Sequence, residues 1–317
     1  MKNKLSVIAY GIFLILSMMS VNVIAQQPNQ ERGRGMIDKS DDVVLQQLIK
    51  ENLSKFTQLT FQDAETRKAM EYNLFIPDNY DEKKSYPLLL FIGDASTAKK
   101  EVTRPLTQGY GALVWATAEE QAKHPCFILV PQYTTTTVND KGYTSYEVEM
   151  TIRLLESIAS KYNIDRNRLY TTGQSMGGMM SLYFNIAHPD LFAASLFVGC
   201  QWDALKMGHF VDDKFFYIVA AGDKKAPIGM EALKKVLLAK GADIATAEWN
   251  AKLPQSEQEA MVQKVVDKGS NQNFIVFTKG SVIPEGKSGI EHMWSFDYAY
   301  KLMGVRDWLF RQVKNSH

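Results

Sequence analysis

The sequence predicts a wound α/β fold, a mostly parallel central sheet flanked by helices. Short apolar runs bounded by turn residues recur at 72–76, 88–92, 127–131, 169–173, 195–199, 215–220 and 274–277. Several runs are continuous rather than alternating, as strands covered on both faces require. Amphipathic segments at helical spacing lie between them, and such alternation points to crossover helices.

The elements follow in order. Residues 26–35 are polar and read as a tether. Residues 40–56 read as a helix, with Val43, Val44, Leu45, Leu48 and Ile49 at helical spacing. The strand–helix succession starts at about residue 57. Ser145 and Glu147 lie in a stretch that offers a capping box. Val148, Ile152, Leu155 and Ile158 share one face of the helix that follows. Further helices are expected over 176–187, 230–240 and 298–311. The stretch from about Gly229 to Asn273 is longer than one crossover helix needs, which predicts a small cap between the last two strands. The domain reading is a leader over 1–25, a tether with a helix over 26–56, and one α/β domain over 57–317.

The chain has 317 residues, 45% hydrophobic and 22% charged, with a formal net charge of +1. That balance excludes charge-driven binding of nucleic acid or of an anionic membrane, so a ligand has to be inferred from a site. Lys2 and Lys4 precede a largely apolar stretch, and Val23-Ile24-Ala25 supplies a cleavage pattern. The expectation is export to the periplasm or beyond, without stable membrane association after cleavage. An uncleaved anchor is the alternative, because the apolar stretch approaches the ~20 residues a bilayer requires. No Cys follows that stretch, which disfavours a lipid anchor. Cys126 and Cys200, the two cysteines, sit at opposite ends of non-neighbouring strands and are expected as buried free thiols.

The most informative stretch is Leu169-Tyr170-Thr171-Thr172-Gly173-Gln174-Ser175-Met176-Gly177-Gly178. It reads as a strand, then G-x-S-x-G, then a helix. A serine hydroxyl is a poor nucleophile unless it is exposed, oriented and given a base. A sharp strand-to-helix turn exposes it, with Gly173 and Gly177 tolerating the tight backbone and Gly178 close helix packing. The same turn aims the Met176 N–H at a developing oxyanion.

A nucleophilic serine needs an imidazole, and five histidines are present. His317 is terminal, His124 precedes a strand at the far sheet edge, and His188 lies at a helix end. His209 follows Trp202 in a loop and stays open as an alternative. His292 comes after the last strand on a glycine-containing loop, before the C-terminal helix, where this topology places its base. The acid is expected after the strand at 215–220, and Asp223 fits that loop. Asp212 and Asp213 would sit at the wrong end of the strand, and Glu231 lies in a helix. A second oxyanion donor is expected from the loop after 88–92, at the Ala95 N–H. A carboxylate at Asp94 would oppose an oxyanion, so it must point away or meet a positive substrate group.

Tyr72-Asn73-Leu74-Phe75-Ile76-Pro77, Tyr86-Pro87-Leu88-Leu89-Leu90-Phe91, the Gln174-Ser175-Met176-Gly177-Gly178 elbow, His292-Met293-Trp294 and Asp307-Trp308-Leu309 together resemble secreted bacterial esterases. These are the α/β hydrolases related to carbohydrate esterase family one, polyhydroxybutyrate depolymerases and predicted peptidases. The resemblance covers about residues 57–312, and many relatives carry His-Gly where this chain has Gly93-Asp94. It implies the α/β-hydrolase fold with an eight-stranded type of sheet, and ester hydrolysis without metal or cofactor. Carried over by position, it implies Ser175 as nucleophile, Asp223 as acid, His292 as base, and Met176 and Ala95 as oxyanion donors.

Trp202 and Trp294 are candidate substrate-binding walls, and core packing is the alternative for both. The expected substrate is a small or polysaccharide-linked ester, of acyl or feruloyl type. A small exported serine peptidase and a non-catalytic binding protein on the same scaffold are the competing readings. Nothing in the sequence specifies an oligomeric state.

Overall fold

The computed structural model describes residues 37–314; the expected leader, the polar tether and His317 lie outside them. The described strands are β1 (Thr57–Asp63), β2 (Lys68–Phe75), β3 (Tyr86–Ile92), β4 (Phe127–Pro131), β5 (Ile164–Gln174), β6 (Ala194–Val198), β7 (Phe215–Ala220), β8 (Ile244–Trp249) and β9 (Gln272–Phe277). The helices are α1 (Val43–Asn52), α2 (Arg104–Thr107), α3 (Tyr110–Leu113), α4 (Ala118–Lys123), α5 (Tyr146–Lys161), α6 (Met176–Ala187), α7 (Ala226–Ala239), α8 (Gln255–Val266), α9 (Glu291–Lys301) and α10 (Met303–Arg311).

All nine strands form one sheet in the order β1-β2-β4-β3-β5-β6-β7-β9-β8. β1–β2 and β2–β4 pair antiparallel, and every later pair is parallel. The mostly parallel sheet flanked by helices is the expected fold class. Strand residues alternate between two cores because each face is covered. Leu88, Leu90 and Phe197 pack with Val148, Leu155, Met180 and Leu233 of α5, α6 and α7. Leu89, Phe91 and Ile275 face the other way, toward Leu48, Leu113, Val262, Phe296 and Leu309.

Three expectations are corrected. The stretch from Gly229 to Asn273 is no cap: it holds the rest of α7, then β8 and α8, and β8 adds a parallel edge strand to β9. Only Ala245 and Trp249 of β8 are buried, because an edge strand needs one weak apolar stripe. The sheet also gains β1, whose outward Gln58, Thr60 and Gln62 dilute its apolar signal, so nine strands replace the eight-stranded type. The expected helix over 298–311 is two helices broken at Leu302, whose backbone is extended (φ −71°, ψ 101°).

Residues 37–56 pack into the body of the fold, and α1 lies within the helix expected over 40–56. Asp42 caps α1 through the Leu45 N–H (2.9 Å) and accepts from the Tyr110 hydroxyl (3.1 Å). Lys39 pairs with Asp297 at 2.6 Å. On the edge strand β1, Asp63 is gripped by two N–H groups of Arg153 from α5, at 2.7 and 2.8 Å. That grip holds the Asp63 carboxyl well below the usual carboxylate range despite its burial. Cys126 and Cys200 are both buried free thiols. Among the described residues no helix is long and apolar enough to cross a membrane.

Candidate active site

Adjacent parallel strands bring the chemistry to one end of the sheet. β3 pairs with β5 through Ile92↔Gly173, so the loop after β3 and the turn after β5 are neighbours. β5 runs into α6 at Ser175, which adopts φ 52° and ψ −115°. A non-glycine residue in that region is strained, and the strain turns the side chain out of the sheet. Close backbone approach holds the turn. A Cβ on Gly173 would stand 2.4 Å from the Gly177 carbonyl carbon, and one on Gly177 would stand 2.0 Å from the Ile92 oxygen. Neither contact survives any side chain, which is why both positions are glycine.

Ser175 Oγ lies 2.9 Å from His292 Nε2, and His292 Nδ1 is hydrogen-bonded to Asp223 Oδ2. A carboxylate only accepts, so Nδ1 carries the proton and Nε2 is left to accept from the serine hydroxyl. The Asp223 side chain is 6% exposed. Burial alone would raise its carboxyl. The His292 hydrogen bond and charge, with the Lys225 and Ala226 N–H groups, outweigh that and hold it below the ordinary carboxylate value. His292 is not on a loop as expected: it is the second residue of α9.

The other described histidines are engaged elsewhere. His124 bonds Asp307 at 2.8 Å, His188 bonds Glu149 at 2.9 Å, and His209 bonds the Asn185 carbonyl at 2.9 Å. His209, the open alternative, is therefore not the imidazole at Ser175. Glu231 pairs with Lys234. Asp212 and Asp213 border a different cleft with Asp190 and Lys314, before β7 rather than after it.

Met176 opens α6 and Ala95 opens a short 3₁₀ turn (Ala95–Thr97). N–H groups that open a helical turn have no acceptor in a preceding turn and stay available. Asp94 is buried at 3% exposure, and its two oxygens are already taken. One accepts from the Ser96 N–H (2.7 Å), the other from the Gln174 side-chain amide (3.0 Å). Gln174, beside Ser175, thus donates to the carboxylate that the sequence left as a difficulty and stabilises it by hydrogen bonding.

Trp202 borders a cavity of about 350 Å³ together with Asn139, Asp140, Met179, Gln201 and Asp203. Met179 lies one turn along α6 from Ser175, to whose carbonyl its N–H donates at 2.9 Å. Trp294 is corrected: it is 7% exposed, donates its indole N–H to the Ser288 carbonyl (3.1 Å), and packs in the core. Sequence reading missed Asp140, which pairs with Lys225 and accepts from Gln201 (3.0 Å). It ties the loop after β4 to the loop bearing Asp223. No local pattern marks an ion pair between residues so far apart.

The Esterase family model, described as "Putative esterase", matches residues 64–230, which include Ser175 and Asp223. No curated protein matches the chain. A thermostable esterase superposes with a TM-score of 0.66 at 25% identity, covering 83% of this chain and 64% of that one. The chain therefore spans about two thirds of that esterase's length. A feruloyl esterase module from Clostridium thermocellum, complexed with sinapinate, superposes with a TM-score of 0.57 at 12% identity, covering 83% and 90%.

Replacing Gly177 by Ala is expected to lower the unfolding free energy by about 3 kcal/mol or more, since backbone carbonyls cannot step aside. Chemical denaturation measures this, and a loss below about 1 kcal/mol would show that the turn is not held by backbone contact.

Proposed function

The chain belongs to the Esterase family, and from that premise we propose that it hydrolyses carboxylic esters through Ser175, His292 and Asp223. The observation that carries this is the continuous hydrogen-bonded relay from Ser175 Oγ through both ring nitrogens of His292 to a buried carboxylate. Its components occur apart in many proteins. Joined on a strained strand-to-helix turn, they have a specific use.

The steps follow from the geometry. Ser175 Oγ attacks the ester carbonyl while its proton passes to His292 Nε2. Asp223 holds the imidazole with Nδ1 protonated and stabilises the imidazolium that forms. Negative charge developing on the carbonyl oxygen falls to the N–H groups of Met176 and Ala95. His292 then gives its proton to the departing alkoxide, leaving an acyl group on Ser175. Water, deprotonated by His292, attacks the acyl carbonyl; the bond to Ser175 Oγ breaks as the acid leaves, and His292 returns the proton to Oγ. This route calls on no metal or cofactor.

The proposed substrate is a polysaccharide-linked acyl or feruloyl-type ester. The cavity beside Trp202 supports it, because an indole among carboxylates, amides and the Lys141 and Lys206 ammonium groups suits a sugar or aryl ring. The chain would act after export and removal of residues 1–25, in the periplasm or outside the cell. The basic start and the Val23-Ile24-Ala25 pattern support that placement.

A fluorophosphonate is expected to label the mature wild type and not Ser175→Ala, with p-nitrophenyl acetate turnover lost in parallel. Asp223→Asn is expected to reduce kcat by about 10³–10⁴-fold while the chain stays folded. Labelling of Ser175→Ala would place the nucleophile elsewhere. Trp202→Ala is expected to raise KM for a feruloylated sugar roughly tenfold and leave p-nitrophenyl acetate turnover unchanged. An unaltered KM would remove Trp202 from substrate binding.

A further inference from the structure

Glu291 opens α9 one residue before His292, and it is buried at 9% exposure. Each of its carboxylate oxygens is taken by a backbone N–H from a different loop. Oε2 accepts from Gly222 at 3.1 Å, and Oε1 accepts from Gly280 at 2.9 Å. Gly222 immediately precedes Asp223, in the loop that leaves β7. Gly280 lies in the loop that leaves β9 and leads to His292. One side chain therefore clasps the two loops that deliver the acid and the base, at the helix start that carries the base.

The fit at Gly222 is close. A Cβ there would stand 1.8 Å from Glu291 Oε1 and 2.1 Å from its Cδ, so the carboxylate lies directly on the glycine backbone. A glycine at this place is explained by the clasp, since its φ is not in the left-handed region. Burying a carboxylate is costly unless its oxygens are bonded, and here two N–H groups bond it. Glu291 also stands in the first turn of α9, where the helix dipole favours negative charge. The ring of His292 is oriented by other contacts: Asp223 at Nδ1, and the Phe296 ring edge-on at 5.1 Å. The hydrogen bonds of Glu291 run to the two loop backbones, not to the imidazole.

We propose that Glu291 is a positioning residue, whose carboxylate sets the separation of the Asp223 and His292 loops and so closes the proton relay. The inference rests on the reading of Ser175, His292 and Asp223 given above. A plain structural staple would add stability only. A positioning residue controls the alignment of the relay, and misalignment of about 1 Å can cost on the order of 100-fold in rate.

The test compares wild type with Glu291→Gln and Glu291→Asp. Gln keeps the size but turns an amide N–H toward a backbone N–H. Asp keeps the charge and is one methylene too short to reach both loops. Measured well below each variant's melting temperature, both are expected to lower kcat for p-nitrophenyl acetate about 10- to 100-fold, with KM within about twofold of wild type. The far-downfield proton resonance of the His292 Nδ1–H should be present in wild type and broadened or lost in both. If Gln does not fold, Asp carries the comparison. A folded variant with unchanged kcat and an intact resonance, and only a lower melting temperature, would overturn the proposal. A wild type that shows the resonance and turns over no ester, with variants that lose the resonance, would sink the ester reading and leave the role of Glu291 standing.

Discussion

At the junction of β5 and α6 the backbone turns through Ser175 at φ 52°, held by carbonyl contacts that no side chain could tolerate at Gly173 or Gly177. Holding one residue there costs about 1–3 kcal/mol, which the surrounding structure must offset. The offset is visible in the packing. The Ser175 N–H donates to the Val198 carbonyl of β6 at 3.0 Å, and its carbonyl accepts from the Met179 N–H. The consequences spread outward. The start of α6 supplies the Met176 N–H. Its pressure against Ile92 fixes how near the loop bearing Ala95 can come. The outward side chain of Ser175 decides where His292 must stand. A small error at this turn would be shared by every member of the site.

Electrostatics complete what the turn begins. The carboxylates of Asp94 and Asp223 are engaged in different ways. Asp223 is held ionised against its burial by His292 and two backbone N–H groups. Asp94 has both oxygens engaged, by Ser96 and by the Gln174 side chain. These donors hold the Asp94 carboxylate in place, turned toward Ser96 and Gln174. Cross-links between loops do the remaining work: Asp140 with Lys225, and Glu291 with Gly222 and Gly280.

Much of the fold was legible in the sequence, for a physical reason. Strands covered on both faces are continuous apolar runs, and β3, β4, β6 and β7 stand out accordingly. The edges were not legible. β1 and β8 bury only one stripe each, and polar residues such as Gln58 and Glu248 break their signal, so β8 with α8 reads as a cap. Ser175, Asp223 and His292 could be picked out because their chemistry is tied to strand ends, and the structure brings the three together. Trp294 could not be separated from Trp202, since an aromatic near a strand end or a candidate base looks the same in a wall and in a core. Glu291 and Asp140 left no trace, because Gly222, Gln201 and Lys225 lie some 60–85 residues away and the Gly280 partner, 11 residues from Glu291, is a backbone N–H that no side-chain pattern marks. Long-range polar pairing has no period to detect.

The central claim is that Ser175 becomes acylated during turnover. The direct measurement is acid quenching of the wild type within its first turnovers of p-nitrophenyl acetate, followed by peptide mass spectrometry. The account predicts one acetyl group on Ser175 in the wild type, and none on any residue of Ser175→Ala. Steady release of acetate with no acyl group on Ser175, or with the adduct on another side chain, would contradict it.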